Sequence, residues 1–243
     1  MADSYSAWSP YNYVMGNPIS NIDPDGRSVE SVEGDYFDRN GNHVGNDGID
    51  DGKIYVESSG GEVSFGVGVL TGGSQFSEMD LNSELGVMSR AVYGEAGGET
   101  IHTKGKVISE EAKLGVAEVI RNRANDDTTN GEQYGYSRYF SKYNTYSNVV
   151  ENTGFDATSS EKFKDPIGYY RSDNNPKQAK SEFLKSVSAS LKAHYQKTNS
   201  TQGSMYFITP AEASKPSSWK SMEKVDVTGV NPQTEFTFYK FTN

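Results

Sequence analysis

The clearest hydrophobic pattern in the chain is a helical one around residues 81 to 95. Its positions recur at steps of four, three, four and three: Leu81, Leu85, Met88, Val92 and Glu95. This spacing places all five on one face of an amphipathic helix. Glu95 therefore stands on the apolar side, where an ionised carboxylate is costly unless it is paired or used. Burial favours the neutral acid and raises its pKa, which suits a general acid.

Two interpretations of Glu95 stay open on periodicity alone. In the first, its side chain is buried and functional, and Gly94 leaves room for a neighbouring segment to approach closely. In the second, Glu95 lies near the helix end, which the glycine pair 97–98 predicts. There it would turn to water or pair with Arg90 or Arg121.

Two further helices and a sheet are predicted downstream. Ser109 is a suitable N-cap for a helix whose broad apolar stripe runs to Ala124. Residues 147–156 are expected to be a short segment entering a loop. Pro176 opens a third helix, which ends near Asn199. Period-two alternation then predicts three antiparallel strands: Gly203–Thr209, Lys224–Thr228 and Glu235–Phe241.

The region before the first helix is rich in Gly, Asp and Asn. Residues 38–41 and 46–48 are typical of hairpin turns, and 53–57 and 63–70 of short strands. We interpret residues 28–76 as a small β linker. Its acid cluster permits a calcium loop or a solvated turn, and the turn is favoured because the required glycine and glutamate are missing; the acids are Asp47, Asp50 and Asp51.

Composition narrows the function classes. The formal net charge is -10, which argues against nucleic acid as the main ligand because such footprints are usually basic. The chain contains no cysteine, so thiolate and disulfide chemistry are excluded. The three histidines, His43, His102 and His194, show no metal-ligand spacing, and we expect no metal site or cofactor. We also expect no membrane insertion and no secretory leader, since apolar runs near about 18 residues are missing.

Aromatic residues allow two roles between residues 134 and 146. The tyrosines there can act as sugar-stacking platforms or as apolar anchors of a loop, and anchoring is favoured; they are Tyr134, Tyr136, Tyr139, Tyr143 and Tyr146. His194 lies beside the core face of the third helix and is interpreted as a core-edge histidine.

The first 27 residues are rich in turn signals and resemble the end of the core domain of Rhs-repeat polymorphic toxins. The matching phrase contains Pro10-Tyr11, Tyr13-Val14, Asn17-Pro18 and Asp23–Arg27. In that family a variable C-terminal effector domain follows the phrase. The resemblance implies an effector delivered by an Rhs shell and a secretion apparatus of the type VI kind. It also implies a cognate immunity protein and action in the periplasm or cell wall of a target bacterium.

A second resemblance covers about residues 84 to 241. The stretches Met88–Glu99 and Leu114–Ala124 are similar to the spore-cortex-lytic, or cell wall hydrolase, family, with its YGEA…GE and VIxNR phrases. The segments around Phe155 and from Gly203 to Trp219 resemble later phrases of that family. The resemblance implies a lysozyme-like domain that cleaves peptidoglycan glycan strands as a lytic transglycosylase.

In that family the glutamate of the YGEA phrase is catalytic, so the resemblance implies a catalytic role for Glu95. It also implies substrate contacts at five positions: Tyr93, Glu99, Phe155, Tyr206 and Trp219. Glu99, one helical turn after Glu95, can assist by hydrogen bonding or merely charge the helix end, and the latter is favoured.

A single carboxylate is enough for a transglycosylase. Glu95 would protonate the leaving oxygen of the β-1,4 bond between MurNAc and GlcNAc, then remove a proton from the sugar's C6 hydroxyl, forming 1,6-anhydro-MurNAc. A muramidase that uses water would need a second acid, for which Asp156 and Glu99 are candidates.

Two other function classes stay open: a non-catalytic wall-binding module, and an Rhs effector of another class such as a nuclease. The expected architecture is α+β, with a lysozyme-like helical core and a small antiparallel sheet after a turn-rich β linker. The expected domains are 1–27, the end of the Rhs core; 28–76, the linker; and 77–243, the catalytic domain.

Overall fold

The computed structural model describes a chain with two compact units, Met1–Met79 and Asp80–Asn243. Both helices and sheets are present, which confirms the α+β class predicted from the sequence. The described residues are 21–22, 30–31, 34–46, 50–58, 64–66, 69–71, 76–98, 108–126, 140, 142–213 and 222–241. Most of segment 1–27, with its Rhs-like phrase, therefore lies outside the described residues.

The first unit is built from short strands. They are β1 (Asn21–Ile22), β2 (Glu30–Ser31), β3 (Asp35–Phe37), β4 (His43–Asn46), β5 (Ile54–Glu57), β6 (Ser64–Gly66), β7 (Val69–Thr71) and β8 (Phe76–Glu78). A four-stranded sheet has the order β4-β3-β5-β8, with β3 and β5 parallel. Its two central strands bury Tyr36, Phe37, Ile54 and Val56, with Tyr36 on the opposite face from Phe37.

The hairpin turn predicted at residues 38–41 is confirmed. It joins β3 to β4, and the Gly41 N–H donates to the Asp38 carbonyl at 3.0 Å. The strand predicted at 63–70 is wrong as a single strand, because β6 and β7 pair antiparallel with Gly66 opposite Val69. Glycine within the run weakens strand continuity and favours such a reversal. Of the predicted turn at 46–48, residues 47–48 lie outside the described residues.

The second unit contains helices followed by a small sheet. The helices are α1 (Glu84–Ala96), α2 (Glu110–Ala124), α3 (Tyr146–Asn152), α4 (Glu161–Lys164), α5 (Pro166–Ser172), α6 (Pro176–Leu191) and α7 (Pro210–Ala213). A 3-10 helix spans Asp156–Ser159, and a π-helical turn spans Lys192–Gln196. The strands are β9 (Tyr206–Ile208), β10 (Glu223–Val225) and β11 (Thr237–Lys240).

Helix α1 forms where the apolar period predicts it. The Ser83 hydroxyl accepts the Gly86 N–H at 3.2 Å and caps its first turn. Leu81 precedes the cap, and the helix ends before Gly97, as the glycine pair predicts. The helix packs against α2 and α6 in a core whose centre is fully buried: Met88, Val92, Val116, Val119 and Val187.

The Ser109 cap predicted for α2 is confirmed, since its hydroxyl accepts the Ala112 N–H at 3.2 Å. The third predicted helix also begins with Pro176, but its α-helical part ends at Leu191 and a π-helical turn carries it only to Gln196. Lys197 then takes the left-handed conformation, with φ of 50°, which stops the helix short of Asn199.

Three short helical elements between residues 156 and 172 were not predicted. Side chains fix the starts of two of them, because Ser160 caps α4 and Asp165 caps α5. Elements of four to seven residues contain too few turns to show an apolar period, so only the caps mark them in the sequence.

The three C-terminal strands predicted from period-two alternation are confirmed, each shorter than predicted. They pair antiparallel in the order β10-β11-β9. The sheet lies against α2 at Gly115, where a Cβ would be only 2.3 Å from the Phe238 ring. In the part of the chain that the structure describes, we find no helix both long and apolar enough to cross a membrane.

Candidate active site

Glu95 lies in the last turn of α1, where the helix meets the 3-10 helix Asp156–Ser159. The two elements approach closely at Gly94, because a Cβ there would be 2.7 Å from the Ala157 Cβ. No real side chain tolerates that distance, so the approach requires glycine. The sequence predicts that Gly94 leaves room for a neighbouring segment, and that segment is the 3-10 helix.

Glu95 is itself the cap of that 3-10 helix. No side chain within the helix or beside it caps its start. The Ala157 N–H instead donates to Glu95 Oε1 at 2.8 Å, across 62 positions of sequence. The carboxylate of one helix thus satisfies a backbone donor at the beginning of another, where the helix dipole also favours negative charge.

The side chain of Glu95 is half-buried. Burial raises the pKa of this carboxyl group from 4.5 to about 7, against the opposing hydrogen bond from Ala157. The negative charge of Asp156 raises the pKa further, and the positive charge of Arg123 and the Asp156 N–H lower it. At neutral pH the group is therefore divided between its acid and its carboxylate, which is the condition for both giving and taking a proton.

The alternative pairings considered for Glu95 are not formed. Arg90 donates to the carbonyls of Leu81 and Phe163, each at 3.0 Å. Arg121 donates to the Ala193 carbonyl at 3.0 Å, on the side of α6 and its π-helical end. Each guanidinium group thus connects two parts of the fold through backbone carbonyls. Within the described residues, neither group forms a hydrogen bond or ion pair with Glu95.

Arg123 is the basic residue whose charge acts on Glu95. It is 5% exposed, and its Nη1 donates to both the carbonyl and the hydroxyl of Thr153, at 3.0 and 2.8 Å. Its Nε donates to the Met205 carbonyl at 2.7 Å. Three rings surround the guanidinium at about equal distances: Phe140 at 4.8 Å, and Phe155 and Tyr206 at 5.0 Å.

Asp156 is the second carboxylate at the site. It is exposed, directly precedes Ala157, and acts electrostatically on Glu95. Its neighbour Phe155 points the other way, into the core at 5% exposure. The 3-10 helix therefore presents an acid to solvent beside the half-buried Glu95, as one of the two candidates for a second acid.

The substrate contact predicted at Tyr93 stays a prediction, and the structure places this side chain in the core. Its ring is fully buried, its hydroxyl donates to the Ala179 carbonyl at 3.2 Å, and it packs against Tyr169 and Phe183. The reason is geometric: two residues along a helix rotate a side chain about 200°. Tyr93 therefore faces α6, away from the side on which Glu95 meets the 3-10 helix.

The other predicted contacts are divided between buried and undescribed positions. Phe155 and Tyr206 are 5% and 8% exposed and flank Arg123, so their contact with a substrate stays a prediction. Glu99 and Trp219 lie outside the described residues.

The sequence interpretation assigned no role to Arg123 or to the Ala157 backbone. Arg123 carries a weak signal, because a charged residue at the end of a broad apolar stripe needs a buried partner. The Ala157 N–H carries none, since every residue except proline has that donor.

Other buried charges in this unit have structural partners. Glu118 is fully buried and accepts from the backbone N–H and hydroxyl groups of both Ser200 and Thr201, at 2.7 to 3.1 Å. Lys113, also fully buried, pairs with Glu182 at 2.7 Å. His194 accepts from or donates to the Tyr146 hydroxyl at 2.9 Å, and burial lowers its pKa.

Two predictions concern groups of residues: the tyrosines between residues 134 and 146, and the acids between residues 47 and 51. Tyr143 and Tyr146 are partly buried against the core, the arrangement expected of anchors, while Tyr134, Tyr136 and Tyr139 lie outside the described residues. Asp51 accepts the Lys53 N–H at 2.8 Å, the contact of an ordinary turn. Among the described residues, no group of three or more His, Asp or Glu side chains is placed to hold a metal ion.

A shallow pocket between α2 and α6 does not include Glu95. It is lined by Glu110, Glu111, Leu114, Lys185, Ser188, Ala189 and Lys192. Searches against protein-family models, curated proteins and solved structures found no match to this chain.

Proposed function

We propose that residues 80–243 form a lysozyme-like peptidoglycan glycosidase, with Glu95 as its general acid. The domain would act as a lytic transglycosylase on the β-1,4 bond between MurNAc and GlcNAc. In the wider chain it would be the effector of an Rhs-repeat toxin, delivered to a target bacterium's wall and neutralised by an immunity protein. Both resemblances of the sequence support this assignment.

One observation carries the catalytic part of the proposal. Glu95 is half-buried, bound to a backbone N–H and has a pKa of about 7. An ordinary surface glutamate is fully ionised at neutral pH and has no proton to give. Glycosidic cleavage needs a carboxylic acid with a raised pKa beside the leaving oxygen.

The proposed reaction uses Glu95 twice, first as an acid and then as a base. The acid form of Glu95 protonates the glycosidic oxygen as the bond to the anomeric carbon breaks, leaving a carboxylate. The C6 hydroxyl of the same sugar then attacks the anomeric carbon, and its proton passes to Glu95. The products are a free GlcNAc hydroxyl and a 1,6-anhydro-MurNAc end, and Glu95 regains its acid form.

Asp156 favours a second candidate, a muramidase that uses water. Its exposed carboxylate precedes the Ala157 donor, and its charge raises the pKa of Glu95. A second acid of this kind can activate water or stabilise the positive charge that develops on the sugar. The two reactions give different ends, anhydro in one and reducing in the other.

The test is digestion of purified peptidoglycan by the full chain and by Glu95→Gln, with products identified by mass spectrometry. Glutamine keeps an oxygen that can accept the Ala157 N–H, so the change removes the proton and little else. We expect cleavage to fall about 1,000-fold, within the usual range for general acids. Glu151→Gln, an exposed change on α3, is the matched control and should cleave normally.

Each product pattern has one meaning. Anhydro ends that disappear with Glu95→Gln support the transglycosylase. Reducing ends support the muramidase and predict that Asp156→Asn is also impaired. Intact peptidoglycan with the unchanged chain would overturn the proposal in both forms.

A further inference from the structure

The loop between α3 and the 3-10 helix connects Arg123 to Glu95. It begins at Thr153, which receives two hydrogen bonds from Arg123, and ends at Ala157, which donates to Glu95. Gly154 between them has φ of +84°, a conformation that gives the loop its sharp change of direction. Only three residues separate the Arg123 contact from the Glu95 contact.

Arg123 holds this loop at two points. Beyond the hydrogen bonds to Thr153, its guanidinium stacks at 5.0 Å over the ring of Phe155, the residue before the 3-10 helix. Thr153 is fixed in turn by its own hydroxyl, which donates to the Val149 carbonyl at 2.6 Å. The 3-10 helix therefore starts from a segment tied to α2 on one side and α3 on the other.

We propose that Arg123 is a positioning residue for Glu95, which acts by fixing loop 153–157 so that the Ala157 N–H meets the carboxyl group. In the described part of the chain, Arg123 donates to Thr153 and Met205 instead of to Glu95. Only the kinetic consequence of the inference rests on the proposed function, because the position and protonation of Glu95 exist whether or not peptidoglycan is the substrate.

Two effects of Arg123 on Glu95 must be separated. A positive charge near the carboxyl favours the carboxylate directly, and an ordered loop favours it through the N–H donor. Thr153→Val tests the loop without changing that charge, because it removes the hydroxyl that accepts from Arg123 and donates to Val149 while the arginine stays. Arg123→Lys keeps the charge but loses the forked contact and the flat face over Phe155.

Arg121→Lys is the matched control. Arg121 stands on the same helix, is 8% exposed, and also donates to a backbone carbonyl, that of Ala193. Its contact lies at the end of α6 rather than on loop 153–157. A loss of general rigidity would therefore affect this variant as much as the other two.

The experiment is a pH titration of Glu95 in the full chain, followed by carbon NMR with labelled glutamate. The Glu95 signal is assigned by its absence from Glu95→Gln. The groups facing Glu95 in this titration are Asp156 and Arg123, whose charges act on it. We expect the midpoint of Glu95 to rise by about one pH unit in both Thr153→Val and Arg123→Lys, because a donor to the carboxylate is lost. Arg121→Lys should titrate like the unchanged chain.

Several results would overturn the inference. Unchanged midpoints in both test variants would show that the loop does not depend on Arg123. A rise in Arg123→Lys alone would assign the effect to the guanidinium itself, and an equal rise in Arg121→Lys would assign it to loosened packing. If Arg123→Lys fails to fold, the Thr153→Val titration decides alone.

Kinetics on peptidoglycan give a second readout. If the unchanged chain cleaves, the pH–rate profile can be compared between variants. In both test variants its alkaline limb should shift to higher pH, together with the Glu95 midpoint. If it does not cleave, the proposed function fails while the titration still decides the role of Arg123.

Discussion

Two buried glutamates in neighbouring helices have opposite surroundings. Glu118 on α2 is fully buried and accepts four hydrogen bonds from Ser200 and Thr201. Glu95 on α1 is half-buried, accepts the Ala157 N–H at 2.8 Å, and has both the N–H and the negative charge of Asp156 beside it. The comparison teaches that a carboxyl group's hydrogen-bond donors and charged neighbours matter as much as its burial. Glu118 has four donors that fix its position, whereas burial and the charge of Asp156 raise the pKa of Glu95.

The largest effect should come from removing the hydrogen bonds between Glu118 and residues Ser200 and Thr201. In Glu118→Gln, the amide group of glutamine must face donors that previously met a carboxylate oxygen, so at least one buried N–H or hydroxyl loses its acceptor. We expect the free energy of unfolding to fall by about 3 kcal/mol, measured by urea denaturation at pH 7. Glu111→Gln, an exposed change on the same helix, should have little effect. Equal stability of the two variants would contradict a structural role for the hydrogen bonds of Glu118.

The same substitution at Glu95 should have the opposite sign. The pKa of Glu95 is about 7 in the folded chain, above the value of an unfolded glutamate, so between pH 4.5 and 7 the folded state holds a proton that the unfolded state has lost. Its stability contribution is therefore unfavourable once the pH exceeds the unfolded pKa, and fully so above pH 7. Discounted for partial exposure, Glu95→Gln should gain about 2 kcal/mol at pH 8.

Urea denaturation of both chains from pH 4 to pH 8 checks the sign. The two curves should meet near pH 4, where the carboxyl is protonated in both states, and separate as the pH rises. A gap that is constant with pH, or one that favours the unchanged chain at pH 8, would show that Glu95 is not held as an acid.

The smallest effect should come from Asp156→Asn. Removing a negative charge beside Glu95 lowers the pKa of Glu95, because Asp156 is the neighbour whose charge raises it. We expect the Glu95 midpoint to fall by about half a pH unit, the size typical of an exposed, screened charge. The titration by carbon NMR described above measures it. A midpoint that stays fixed or rises would show that the charge of Asp156 does not raise the pKa of Glu95.

The apolar period of α1 was sufficient to place Glu95 on the inner side of a helix. That period depends only on residues within four positions of each other, and such local information survives in sequence. It also contained the evidence against Tyr93 as a neighbour of Glu95, since side chains two positions apart on a helix diverge. The helical period thus places Tyr93 on the other side of α1 from Glu95, and the geometry follows the period.

The surroundings of Glu95 were beyond the reach of the sequence. Arg123 meets Thr153 across 30 positions, and Ala157 meets Glu95 across 62. Contacts at such separations depend on how the helices pack, which no local pattern encodes. The 3-10 helix that carries Asp156 escaped prediction for a related reason, because its start is capped by Glu95 itself instead of by a residue beside it.

A main-chain donor to Glu95 has a consequence for how freely this site can vary. An amide hydrogen is supplied by every residue type except proline, so the identity of the side chain at position 157 does not determine whether the donor exists. The constraint falls instead on position 94, because a Cβ there would stand 2.7 Å from the Cβ of Ala157. The site is thus specified by the course of the backbone and by a glycine at position 94. Chains with very different sequences around Asp156 could keep the same setting for the acid.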